Sequence, residues 1–174
     1  GAGANSIWAD LPAIALATKT SGGSVCLQRI KVQSTTSTAC ATALPIDNTI
    51  PQITEGDEVF SQAITPLSAS SYLLIKVKGS STRTGVANRW AIALFVDATA
   101  AALAAIHAGF QGGGNPIDSH ISAEWSIASG STSARTYRIR AGGDAAIRFN
   151  GTSAGDIFGG VIGATFIIEE WLDV

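Results

Sequence analysis

Apolar and polar residues alternate along most of the chain in short runs broken by turn residues, which is the pattern of half-buried strands. VCLQRIKVQ (25–33) splits Val25, Leu27 and Arg29 from Cys26, Gln28 and Ile30, and EVFSQAIT (58–65) follows the acidic turn EGDE. In SYLLIKVKG (71–79), Leu73, Ile75 and Val77 face inward while Lys76 and Lys78 face outward. RWAIALFVD (89–97) is nearly all apolar, so both of its faces should be covered. SHISAEWSI (119–127) sets Ile121, Ala123, Trp125 and Ile127 on one side. ARTYRIRAG (134–142) turns Tyr137 and Ile139 in and Arg138 and Arg140 out. AAIRFNG (145–151) and GATFIIEEW (163–171) complete the series.

Segments rich in Gly, Ser, Thr and Asn separate these runs. Helical periodicity is weak except in DATAAALAAIHAG (97–109), where alanine favours helix but the position between strands equally allows a strand and hairpin. Many short strands at even spacing predict an all-β fold, an antiparallel β-sandwich of jelly-roll type. Residues 1–24 differ: IWADLPAIALATK is an apolar arm, and SGGS (21–24) reads as a flexible joint. The domain boundary falls there, with the sandwich over 25–174.

Charged residues make up only 14% of the 174 and apolar ones 46%, against about 25% charged in average usage. Ser, Thr, Gly and Ala take the place of the missing charge. A net charge of −2 provides no general field to draw in nucleic acid or an anionic membrane. The longest apolar stretch, WAIALFVDATAAALAAI, is broken by Asp97, so no membrane insertion is expected. The chain lacks Met even at position 1 and reads as processed or as a fragment of something longer. Cys26 and Cys40 are too few for a disulfide framework; two buried free thiols or one bridge across paired strands fit.

RTYRIRAGGDAAIRFNGTSAGDIFGG (135–160) concentrates charge and glycine. It is no phosphate loop, because no Lys-Ser/Thr follows its glycines into a helix. It is a poor nucleic-acid strip, because Arg135, Arg138, Arg140 and Arg148 lack interleaved aromatic platforms. It reads best as strands joined by turns, with Asn150-Gly151 a type I′ signal. Asn-Gly-Thr is also a glycosylation acceptor. The carboxylate pairs that catalysis would need are Asp144 with Asp156 and Glu169 with Glu170. The glutamates are neighbours on a strand and point to opposite faces, and the aspartates lie in turns, so no enzyme is expected. His107 and His120 lack metal-ligand spacing, and no metal or cofactor is expected. Trp90 and Trp125 read as core, Trp8 and Trp171 as subunit contacts.

The order of the pieces carries a resemblance. DNTIPQITEGDEVFSQAITPLSASSYLLIKVKGS, IALFVDATAAALAA, ARTYRIRAGG and RFNGTSAGDIFGGVIGATFIIEEW follow one another over roughly residues 45–171. This resembles a module at the distal end of bacteriophage tail-fibre and related virion proteins. The resemblance implies a trimeric β-sandwich tip domain on an extracellular particle. Its partners would be two further copies of itself, a host cell-surface receptor such as a glycan, and other virion proteins reached through the N-terminal arm. Nucleic acid is not among them, and the resemblance carries over no catalytic residue. Receptor contacts in such tips lie in variable loops, which draws attention to HAGFQGGGNPIDSH (107–120). There Phe110 would stack on a sugar ring, Gln111, Asn115 and Asp118 would bond hydroxyls, and His107 and His120 flank them. The competing functions are a structural decoration or capping protein of the virion and a secreted carbohydrate-binding adhesin module.

Overall fold

In a computed structural model the described residues are 22–83, 89–109, 117–152 and 155–173. The apolar arm with Trp8, and the loop centre with Phe110, Gln111 and Asn115, lie outside them. The alternating runs form ten strands: β1 (Ser24–Ser34), β2 (Thr38–Cys40), β3 (Asp57–Ile64), β4 (Tyr72–Arg83), β5 (Arg89–Val96), β6 (Ala104–Gly109), β7 (Ile117–Ala128), β8 (Arg135–Gly143), β9 (Ile147–Phe149) and β10 (Ala164–Asp173). A 3-10 turn spans Phe158–Gly160. The alanine-rich stretch is thus no helix: Asp97 takes φ +53°, and β6 turns back to pair with β5.

Among the described residues all strand pairings are antiparallel. One sheet runs β1-β10-β4-β7, and the other β3-β8-β5-β6. β7 takes one edge of β4 along its whole length, while β10 and then β9 share the other edge in tandem, with β2 beyond β9. With the two three-residue strands set aside, the eight long strands are ordered first-eighth-third-sixth over second-seventh-fourth-fifth. That is the double Greek key of a jelly roll.

The core lies between the sheets, where Leu73, Ile75 and Val77 of β4 meet Trp90, Ile92 and Leu94 of β5 and Tyr137 and Ile139 of β8. Phe60 stands edge-on to Phe149, with ring centres 6.1 Å apart, and leans on Phe166 at 5.7 Å. Phe149 fits over β4 only because residue 79 is glycine: a Cβ there would lie 2.5 Å from two of its ring carbons. The other face of β5 is also covered, as its composition requires. Ala91, Ala93 and Phe95 pack with Leu44, Ile46 and Ile53 of the segment 42–56. Arg140 pins that strap by donating to the carbonyls of Glu55 at 2.8 Å and Gly56 at 2.6 Å. Arg138 pairs with Glu58 at 2.7 Å, so both outward arginines serve their own chain.

Three expectations are corrected in detail. A bulge at Leu27 shifts the register of β1, so Cys26 opposes Trp171 while Gln28 opposes Glu170. Cys26 therefore leaves the face of Gln28 and Ile30; it is an exposed free thiol, and only Cys40 is buried. Asn150-Gly151 is not a type I′ turn. Asn150 has φ +57°, but Gly151 is not left-handed, and the tight antiparallel bridge lies just beyond, between Thr152 and Gly155. Asn150 is buried, and its amide donates to the carbonyls of Ser34, Thr36 and Ile162. An inward-facing, bonded amide is no glycan acceptor. Gly151 is needed for space, since a Cβ would meet Ser37 and come within 2.7 Å of the Gly155 carbonyl oxygen.

Candidate functional site

The strand pleat decides which side chains meet on the outer face of the first sheet. Register sets Lys31 of β1, Ile167 of β10, Lys76 of β4 and Glu124 of β7 in one row. Gln33, Thr165, Lys78 and Ser122 form the next row, and Arg29, Glu169 and Leu74 flank the first on the other side. A groove of about 200 Å³ opens among Lys31, Lys76, Lys78, Thr165 and Ile167. A larger one of about 400 Å³ continues past Lys78 to Ser80, Ser122, His120 and the backbone at Ile162 and Gly163. Lys78 is the common wall of the two.

The cations of this face are not equivalent. Glu169 is buried and accepts from Lys76 at 2.9 Å, from Arg29 at 3.2 Å and from the Trp171 indole at 3.2 Å. Burial alone would raise its pKa; hydrogen bonds from Lys76 and Trp171 and the nearby positive charges outweigh that and hold it below the usual carboxylate range. The bond to Glu169 in turn raises the Lys76 ammonium, which Glu124 also approaches at 3.7 Å. Lys76 is therefore neutralised in place. Lys31 and Lys78 are exposed, and among the described residues neither pairs with a carboxylate. Two free ammonium groups, the hydroxyls of Thr165, Ser80 and Ser122, and the half-buried Ile167 make a surface able to hold an anion with a hydroxyl-bearing body.

The neighbouring Glu170 points to the other side of β10, as the pleat demands, and is fully buried. Its oxygens accept from the backbone N–H of Leu67 at 2.9 Å and of Ser68 at 3.0 Å, from Ser71 Oγ at 2.6 Å and from Gln28 Nε2 at 2.6 Å. Burial works to raise its pKa, and these donors overcome that and lower it. This carboxylate is a clamp on the segment 65–71. Of the aspartates weighed for catalysis, Asp144 is bound to Arg89 at 3.1 Å and Asp156 is exposed.

Of the residues singled out in the loop 107–120, the two histidines lie apart. His107 is exposed on β6 opposite Ala91 and borders a groove of about 160 Å³ with Leu44, Ile46 and Asp47 on the outer face of the second sheet. His120 is exposed on β7 opposite Ser80 and borders the large groove on the first sheet. The two histidines thus occupy opposite outer faces of the sandwich. Asp118 lies in β7 opposite Thr82, while Phe110, Gln111 and Asn115 lie outside the described residues. Among the described residues no three His, Cys, Asp or Glu side chains are placed to share a metal ion. Trp90 is in the core as expected, Trp125 is half-buried against it, and Trp171 is half-buried beside Glu169. Lys31, Lys78 and Thr165 were missed by sequence reasoning. Their outward alternation was legible, but their proximity depends on a register between strands far apart in the chain.

Comparison with protein-family models and with curated proteins finds no match.

Proposed function

We propose that the chain is the tip domain of a virion fibre, a homotrimer that attaches an extracellular particle to a host-cell surface glycan. The observation that carries this reading is a jelly roll, an architecture shared by viral capsid and lectin domains, with a hydroxyl- and lysine-lined groove across one outer sheet face. The stretches that resemble fibre tips have consistent physical roles. TPLSASS and the Ile-Glu-Glu stretch are stitched together by Glu170. The aspartate of ALFVD bonds the Thr136 amide at 2.8 Å, and the asparagine of RFNG ties three carbonyls. Such residues hold a rigid scaffold on which grooves and loops are carried, which is what an attachment module needs. The same fact favours a second reading, a capping or decoration protein of the virion in which the scaffold is the function.

A glycan array and a cell-binding assay on the full 174-residue chain separate the two. Attachment requires saturable binding to cells and to at least one class of surface saccharide. A stable assembly that binds neither supports the capping reading and overturns attachment. Shortening 110–116 to a two-residue turn asks whether the loop or the sheet face carries binding.

A further inference from the structure

We infer that the groove between Lys31 and Lys78 binds an acidic saccharide, one bearing carboxylate, sulfate or phosphate groups. The inference rests on the attachment reading and gives it a ligand class and a site. Sequence reasoning placed recognition in the loop 107–120; the charge distribution points instead to the outer face of the first sheet.

The argument starts from an imbalance. The whole chain carries −2, yet Arg29, Lys31, Lys76 and Lys78 gather on one patch of three strands. Glu169 and Glu124 offset part of this, and both bind Lys76 rather than the other two lysines. Lys31 and Lys78 lie two strand spacings apart and two residues out of step along the strands, about 12 Å at the backbone, with Ile167 and Thr165 between them on the intervening strand. Two flexible lysine side chains rooted at this backbone separation suit two anionic substituents on one short stretch of sugar. The apolar side chain of Ile167 offers contact to a ring face, and Thr165, Ser80 and Ser122 offer partners for hydroxyls. Lys78 faces both grooves, so a chain anchored there can continue toward His120.

A nucleic acid fits less well. Two unpaired lysines supply little counterion release, Glu124 and Glu169 stand beside the track, and among the described residues no Phe, Tyr or Trp side chain lines either groove, His120 at the far end being the one ring for a base to stack on. Solitary phosphate would use the ammonium groups but not the hydroxyls and Ile167.

The test uses the full chain and four probes: an oligogalacturonate, a heparin-derived sulfated oligosaccharide, the neutral maltohexaose and a single-stranded oligonucleotide. Titration calorimetry at low salt should show binding to at least one acidic sugar, at least tenfold tighter than to maltohexaose, and weakened by added salt. The double variant Lys31→Gln, Lys78→Gln should lose at least tenfold in affinity with an unchanged melting temperature, since neither lysine is paired. Arg135→Gln, on the other sheet, should bind as the parent does. Amide shift mapping on the unsubstituted protein should place the perturbations at Lys31, Thr165 and Lys78, independently of any variant. If maltohexaose binds as well as the acidic sugars, or if cell binding survives the double variant, the acidic-sugar site is overturned while attachment stands. Tighter binding of the oligonucleotide also overturns it. If neither cells nor any saccharide is bound, attachment itself falls.

Discussion

Replacing Glu170 probes the scaffold where its parts are most tightly joined. The carboxylate receives four donors, and removing it does not leave all four stranded. Ser71 Oγ keeps the Ser68 carbonyl at 2.7 Å, and Gln28 Nε2 keeps the Thr65 carbonyl at 2.8 Å. The amides of Leu67 and Ser68 lose their acceptor. Leu67 is exposed, so water can replace the acceptor of its amide; the half-buried Ser68 amide left unsatisfied costs about 1–3 kcal/mol, and deleting the buried side-chain carbons adds a cavity cost of about 1 kcal/mol. Glu170→Ala should therefore destabilise by about 2–4 kcal/mol. Glu170→Gln keeps the volume and one acceptor oxygen and should cost about half as much. Glu124→Gln, at an exposed side chain, should stay within about 0.5 kcal/mol of the parent. The assay is urea unfolding at one fixed protein concentration, because assembly would make stability concentration-dependent. If Glu170→Ala falls within about 1 kcal/mol of the parent with an unchanged m-value, the clamp contributes nothing and the reasoning fails.

Acid should weaken the fold in a defined direction. Glu169 and Glu170 have lowered folded pKa values, so their stabilisation is complete above the unfolded glutamate value of about 4.3 and is lost as pH falls through the lower folded values. Melting temperature should hold near neutrality and drop below that point, and a melt as stable at pH 3 as at pH 7 contradicts this. The two thiols should differ: Cys26 is exposed, whereas Cys40 is buried with its thiol pushed up to about 12, so a thiol reagent should label Cys26 in the folded protein and Cys40 only after unfolding. Labelling of both at equal rates in native buffer would refute the placement. Gly79→Ala and Gly151→Val should each cost about 1–3 kcal/mol through overpacking, against near zero for Gly23→Ala, where a Cβ meets nothing within 4 Å. Equal thermal shifts at the three positions would count against both packed sites.

The strands, their inward faces and the jelly-roll class were legible because period-two alternation reports burial directly, as Leu73, Ile75 and Val77 show. The β1 bulge was not, because nothing in VCLQRI marks the extra residue that moves Cys26 to the other face. Asn150-Gly151 misled for a related reason. A local turn signal was read locally, while the asparagine is held by partners more than a hundred residues away in sequence at Ser34 and Thr36. DATAAALAAIHAG resisted assignment because alanine's helix preference is weak beside the gain from extending the β5 sheet edge. The candidate groove was illegible because it depends on which strands become neighbours. Lys31 and Lys78 are brought together only by β10, whose residues come near the end of the chain.

Assembly is the step on which the fibre-tip reading stands most directly, since a fibre end formed by this module needs its copies joined. Multi-angle light scattering on the full chain at micromolar concentration measures it. The account predicts a mass of three times 17.7 kDa, stable to dilution, with the arm at residues 5–20 present. A monomer of 17.7 kDa under the same conditions would contradict it.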